Sequence, residues 1–217
     1  MNETYELFPT PVALYEYDGS IDDELNYLKS IAYLVRQSNN HQSPSIRLRS
    51  DDSFLLKRKE MKNITKFVNK SLKDYATNIL GIDESLQVTQ SWANKSKRGN
   101  GQGKHNHPNS LISGVFYFQT NESAHIEFMK SAPEQLIVYP TRINSMNATG
   151  YSLNTKSKQC ILFPSSLNHA VSVNSSDEEH ISLSFNTFYL GDFGSKKNLT
   201  HLNVKELTKE NKRNEPK

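Results

Sequence analysis

The chain has 217 residues, 35% hydrophobic and 23% charged, a composition that leaves no apolar run near the roughly 20 residues a membrane helix needs. Its one cysteine, Cys160, excludes an internal disulfide and fits a reducing, cytoplasmic setting. Of the formal +3 charge, residues 196–217 carry a surplus of +4 (seven Lys/Arg against three Asp/Glu). The rest sums to about −1 (+3 less +4), which argues against a basic nucleic-acid face.

The opening Met-Asn-Glu-Thr-Tyr-Glu has no basic segment followed by an apolar one, so no signal peptide is expected. Residues 5–17 contain two prolines among Leu, Val and Tyr and read as an edge strand. Asp-Asp-Glu opens a helix over 22–37, with Leu25, Leu28, Ile31, Ala32 and Val35 at helical spacing. The polar stretch 38–53 reads as loop. A second helix spans 59–80 on the stripe Met61, Ile64, Phe67, Val68, Leu72, Tyr75, Ile79, and Gly81 closes it. From about residue 86 the texture becomes β. Strands are expected at 86–94, 111–119, 124–129, 135–139, 159–164, 168–174 and 180–190. The fold class is α+β, mainly β, a sandwich or barrel buttressed by N-terminal helices. One domain covers 1–194, and 195–217 is a basic, flexible tail.

The chemistry centres on Lys-His-Asn-His-Pro at 104–108. Side chains alternate along a strand, so His105 and His107 point to one face. A third histidine, His169, follows Phe-Pro-Ser-Ser-Leu-Asn far downstream. Imidazole is the commonest protein ligand for a transition metal, and His107 with His169 is the natural pair. A mononuclear Fe(II) site commonly adds a carboxylate. Position 107 or 109 would supply it, but these hold His and Asn. Glu127 on a following strand, Asn109, or a third imidazole from His105 completes the set. His41, His125 and His201 lack this context and read as surface residues. Cys160 reads as a small buried hydrophobe. The glycines at 99, 101 and 103 read as a mobile loop at the mouth of the site rather than a phosphate cradle.

Several motifs resemble one family. They are Leu-Phe-Pro-Thr-Pro-Val at 7–12, Gln-Ser-Trp-Ala-Asn at 90–94, His-Asn-His-Pro-Asn-Ser at 105–110 and Ser-Gly-Val-Phe-Tyr-Phe at 113–118. Leu-Phe-Pro-Ser at 162–165, His-Ala-Val from His169 and Ile-Ser-Leu-Ser-Phe-Asn at 181–186 continue the series. In order and spacing the chain resembles the 2-oxoglutarate-Fe(II) oxygenases of marine phages and bacteria. The resemblance implies a double-stranded β-helix (jelly-roll, cupin-like) core. It implies Fe(II) held by His107 and His169, with His105 as the other candidate, and 2-oxoglutarate as co-substrate. It also implies a basic residue 11 positions after the distal histidine, in an Arg-x-Ser pattern. Here those positions hold His180 and Ser182. Arginine grips a carboxylate bidentately, and histidine does not. Arg142 or Lys104 are the alternative anchors, and Tyr117, Trp92 and Asn94 are pocket candidates. The implied reaction consumes oxygen and 2-oxoglutarate, releases succinate and CO₂, and hydroxylates a small molecule or a side chain. A homodimer is compatible with the sequence, and no membrane partner is expected.

Two other readings share the barrel. A cupin-like metal protein would use the histidines and Glu127 without 2-oxoglutarate; Pro164 stands five residues before His169 as in cupins. A degenerate virion or scaffold barrel would have lost the metal.

Overall fold

The computed structural model describes residues 3, 7–38, 45–83, 85–130 and 140–205. His41, the expected strand at 135–139 and the end of the tail from residue 206 lie outside the described residues. Among those described, the strands are β1 (Ala13–Glu16), β2 (Tyr33–Ser38), β3 (Ser45–Ser50), β4 (Leu86–Ser96), β5 (Gln102–His105), β6 (Ile112–Gln119), β7 (His125–Met129), β8 (Gly150–Asn154), β9 (Gln159–Pro164), β10 (Asn168–Val171), β11 (His180–Tyr189), β12 (Gly191–Phe193) and β13 (Leu202–Val204). Two helices, α1 (Asp22–Ser30) and α2 (Lys62–Asp74), precede the main β region.

One large sheet runs β1-β9-β6-β11-β4-β3-β2, and a smaller one runs β5-β10-β7-β8. All pairings between these strands are antiparallel. The two sheets face each other as a double-stranded β-helix, with a small apolar core of Ile126, Phe128, Ile161 and Phe163 between them. The other face of the large sheet carries Ala93, Leu183, Phe116 and Cys160, which stand opposite one another across four strands. That face is covered by Leu28 of α1 and by Ile64, Val68 and Leu72 of α2. The helices therefore seal one side of the sheet and leave its inner side for chemistry.

Period-two alternation sorts the inner face strictly. Arg49, Asn94, Ser182 and Tyr117 form one register row across β3, β4, β11 and β6. Trp92, Ser184, Val115 and Ile161 form the next. The interior is thus polar towards β3 and apolar towards β9.

Two sequence expectations need correction. The helix expected over 22–37 ends at Ser30, where Ile31 turns extended (φ −77°, ψ 162°). Tyr33, Leu34 and Val35 are good strand formers, and β3 offers them a partner in register. The loop expected over 38–53 contains that partner, β3, whose Ser-Ile-Arg-Leu-Arg-Ser alternates polar and apolar side chains. The second helix occurs as expected; its last turn, Tyr75–Ile79, widens to a π-type turn before Gly81 (φ +66°). Leu202–Val204, inside the expected tail, pairs with Gly191–Phe193.

Candidate metal centre

His105 ends β5 and His169 lies on β10, and the two are register partners. His107 follows in the loop, where its backbone N–H donates to Ser165 O (2.9 Å). That bond ties the His-x-His segment to the Phe-Pro-Ser-Ser turn. One ligand nitrogen from each of the three rings lies within 4.8 Å of the other two. Ring centroids stand 4.2–5.3 Å apart.

Each ring is oriented through its Nδ1. His107 Nδ1 meets Asn186 Oδ1 at 2.5 Å, His169 Nδ1 meets Leu167 O at 3.0 Å, and His105 Nδ1 meets Gly103 O at 2.9 Å. All three acceptors are oxygens, so each Nδ1 carries the proton and each Nε2 keeps its lone pair. Asn186 is itself held by Ser113 Oγ (3.1 Å), and Ser113 contacts Ser165 Oγ (2.8 Å). Gln102 Nε2 lies 2.6 Å from His105 Nε2 and caps that lone pair.

Burial keeps the imidazoles neutral. It pushes His105 down to about 3, with the neighbouring His169 adding to the shift. It lowers His169 to about 4 and lowers His107 as well. Three neutral nitrogen donors on one side of a cavity fit a divalent transition metal and leave room for further ligands.

The alternative ligands do not join this cluster. Glu127 pairs in register with Ala170 rather than His169, so it lies on the outer face of its sheet. It is exposed and lies 3.5 Å from His125 Nε2. Asn109 is exposed, in a left-handed turn (φ 57°). Neither stands with the two histidines, whereas His105 does.

A cavity of about 110 Å³ opens beside the triad, enough for several waters or one small organic acid. Tyr117, Ser182, Trp92, Asn94 and His180 all line it. His180 stacks on Tyr117 (5.6 Å, 8°), and its Nε2 is buried without a partner. Burial lowers its pKa to about 4, so the ring is neutral and its Nε2 is left without a polar partner. Arg142 and Lys104, the alternative anchors, are exposed and do not line the cavity. Arg142 sits in a surface turn whose carbonyl accepts from Asn147. The cations that do line the cavity are Arg47, Arg49 and Lys95. The sequence reading missed both arginines because the polar run before them masked β3. It also missed Asn186 as the partner of His107. His201 sits apart, bonded to Asp192 (2.7 Å).

Residues 90–186 match a family model described as "Putative 2OG-Fe(II) oxygenase". No curated protein sequence matches the chain. Among solved structures the chain is similar to the alpha-ketoglutarate-dependent epimerase SnoN of nogalamycin biosynthesis (TM-score 0.61, 10% identity, 86% of this chain and 79% of that one). It is also similar to HygX from Streptomyces hygroscopicus, solved with nickel, 2-oxoglutarate and hygromycin B (TM-score 0.56, 9% identity, 82% of each chain). A third is an oxidoreductase of the 2OG-Fe(II) oxygenase family from Burkholderia pseudomallei (TM-score 0.54, 10% identity, 76% of each chain). At such identities these likenesses speak for the fold, and the family match spans the strands that carry the triad. The family match is thus to that segment, residues 90–186, and the likeness of the rest of the chain is one of fold.

Proposed function

We propose that this chain is a 2-oxoglutarate-dependent oxygenase whose iron is held by three histidines, His105, His107 and His169. The observation that carries the reading is the convergence of one ligand nitrogen from each of three rings, every ring having its Nδ1 already bonded to an oxygen. When bound, Fe(II) with 2-oxoglutarate and oxygen supplies the oxidation of a C–H bond, with succinate and CO₂ as co-products. The protein's own part is orientation. Asn186 and the carbonyls of Leu167 and Gly103 fix the ring planes, and Gln102 leaves the His105 nitrogen when the metal arrives.

The co-substrate's far carboxylate goes to the end of the cavity where His180 Nε2 has no partner, beside Ser182 and Tyr117. His180 thus serves where the family pattern has arginine, as a neutral N–H donor. A bound carboxylate would raise its pKa, and with it the strength of the bond. Trp92 and Asn94 form the wall on which the primary substrate rests. Among the described residues no helix is long and apolar enough to cross a membrane. With one buried thiol, Cys160, we place the protein in a reducing compartment such as the cytoplasm. A cupin-like role without 2-oxoglutarate is not favoured, because Glu127 faces away from the histidines.

The test is Fe(II)-dependent formation of succinate from 2-oxoglutarate in air. The wild type should form succinate above a protein-free blank, and His107→Ala should not. A wild-type rate equal to the blank at saturating iron and 2-oxoglutarate would contradict the assignment.

A further inference from the structure

β3 lies two strands from β11 in the large sheet, and it presents two arginines to the cavity. Arg47 and Arg49 are two residues apart on one strand and so share a face. Both line the cavity beside the triad, and both line a second, more open cavity with Trp92, Gln90 and Asn186. The Nε of each is buried and has no hydrogen-bond partner. Neither makes a salt bridge among the described residues. Buried guanidinium nitrogens are ordinarily paired, so two orphaned ones facing one space indicate a missing anion. Among the described residues, no Asp or Glu lines either cavity. Arg36 stands opposite Arg47 on β2 and adds positive charge rather than removing it.

Charge decides which anion this is. Three neutral imidazoles add nothing to the +2 of Fe(II), and the doubly charged 2-oxoglutarate cancels it. The two arginines remain as +2, and Lys95 of the same lining adds to it. His180, which lines only the first cavity, already provides an unpartnered ring nitrogen for the co-substrate. Both arginines line the more open cavity together with His105 and His107, and His180 does not line that one.

We propose that Arg47 and Arg49 recognise a carboxylate or phosphate group of the primary substrate, which makes that substrate a small anion. The planar forks of two arginines suit both groups bidentately. Bound there, the anion would stand against Trp92 with its neighbouring carbons over the triad. This deepens the oxygenase reading and rests on it for the word "substrate".

The experiment uses the full chain preloaded with one equivalent of Zn(II), which has no redox chemistry, and saturated with 2-oxoglutarate. Inorganic phosphate is the probe. Trp92 is the only tryptophan in the chain and lines both cavities, so its fluorescence reports occupancy. The expected result is a saturable, salt-sensitive change. Arg47→Gln with Arg49→Gln should weaken phosphate by about tenfold or more, the scale of losing a charged hydrogen bond. The Arg→Lys pair keeps the charge and the fold but loses the fork, and should fall between. The affinity for 2-oxoglutarate, measured on the same variants, should stay within about twofold.

Unchanged phosphate affinity in the Gln and Lys pairs would overturn the proposal. So would phosphate that competes with 2-oxoglutarate while the variants lose both ligands together, since the arginines would then anchor the co-substrate. If 2-oxoglutarate binds to no form, wild type included, the oxygenase reading fails. Phosphate titration of the Zn(II)-loaded protein alone then decides the anion site, with the same loss expected in the variants.

Discussion

Each histidine of the triad is held by an oxygen acceptor on Nδ1, and one of those acceptors is a side chain. Asn186 is therefore the point at which ring orientation can be tested without touching a ligand. Asn186→Ala should lower metal affinity by roughly 10–100-fold, read by competition with a chelator, while His201→Ala leaves it unchanged. Equal affinity in Asn186→Ala would show that the backbone alone positions His107. The depressed histidines also set a pH dependence. His105 near 3, and His169 and His180 near 4, lie below the unfolded value of about 6.5. The unfolded chain thus binds more protons between those limits. Stability of the metal-free protein should be full above about pH 6.5 and decline as pH falls towards 4. Thermal unfolding between pH 7 and 5, above the carboxylate range, measures it. A flat midpoint there would contradict neutral, buried imidazoles. The meeting of His107 with His169 was legible from their spacing. Their third member was not, because a His-x-His pair fits one-ligand and two-ligand use equally until the sheet register places Glu127 on the other face.

At the scale of elements, β6 shows how closely the sheet and its helices are fitted. A Cβ on Gly114 would lie 2.2 Å from Phe185 Cζ and 2.6 Å from Leu162 Cδ2, both in the core beneath α1 and α2. Gly114→Ala should destabilise by about 1–3 kcal/mol, the usual range for overpacking, seen as a lower unfolding midpoint. An unchanged midpoint would mean that the Phe185 ring moves aside freely. The long, periodic elements were readable in the sequence: α2 from its apolar stripe, and β6, β9 and β11 from dense β-formers. The region 22–53 was not. Leu25, Leu28, Ile31, Ala32 and Val35 satisfy a helical period, yet Tyr33–Ser38 pairs with β3. Ladder pairing with a segment about ten residues away outweighs a local pattern. Missing β3 hid Arg47 and Arg49, and with them the charge of the cavity.

Across the whole molecule, the helices cover one face of a seven-stranded sheet and leave the other to enclose a polar cavity with the four-stranded sheet. The histidine cluster sits where β5 and β10 of the small sheet meet the His107 loop, and Asn186 of the large sheet holds His107, so both sheets must assemble before the cluster exists. Metal should therefore stabilise the folded chain as a whole. The central claim, that three histidines alone hold an iron that accepts 2-oxoglutarate, is tested most directly by anaerobic titration of Fe(II) with 2-oxoglutarate present. One iron per chain should bind with a visible charge-transfer band, and His105→Ala, His107→Ala and His169→Ala should each abolish it. A band that survives His105→Ala, or none in the wild type at saturating 2-oxoglutarate, would contradict the account.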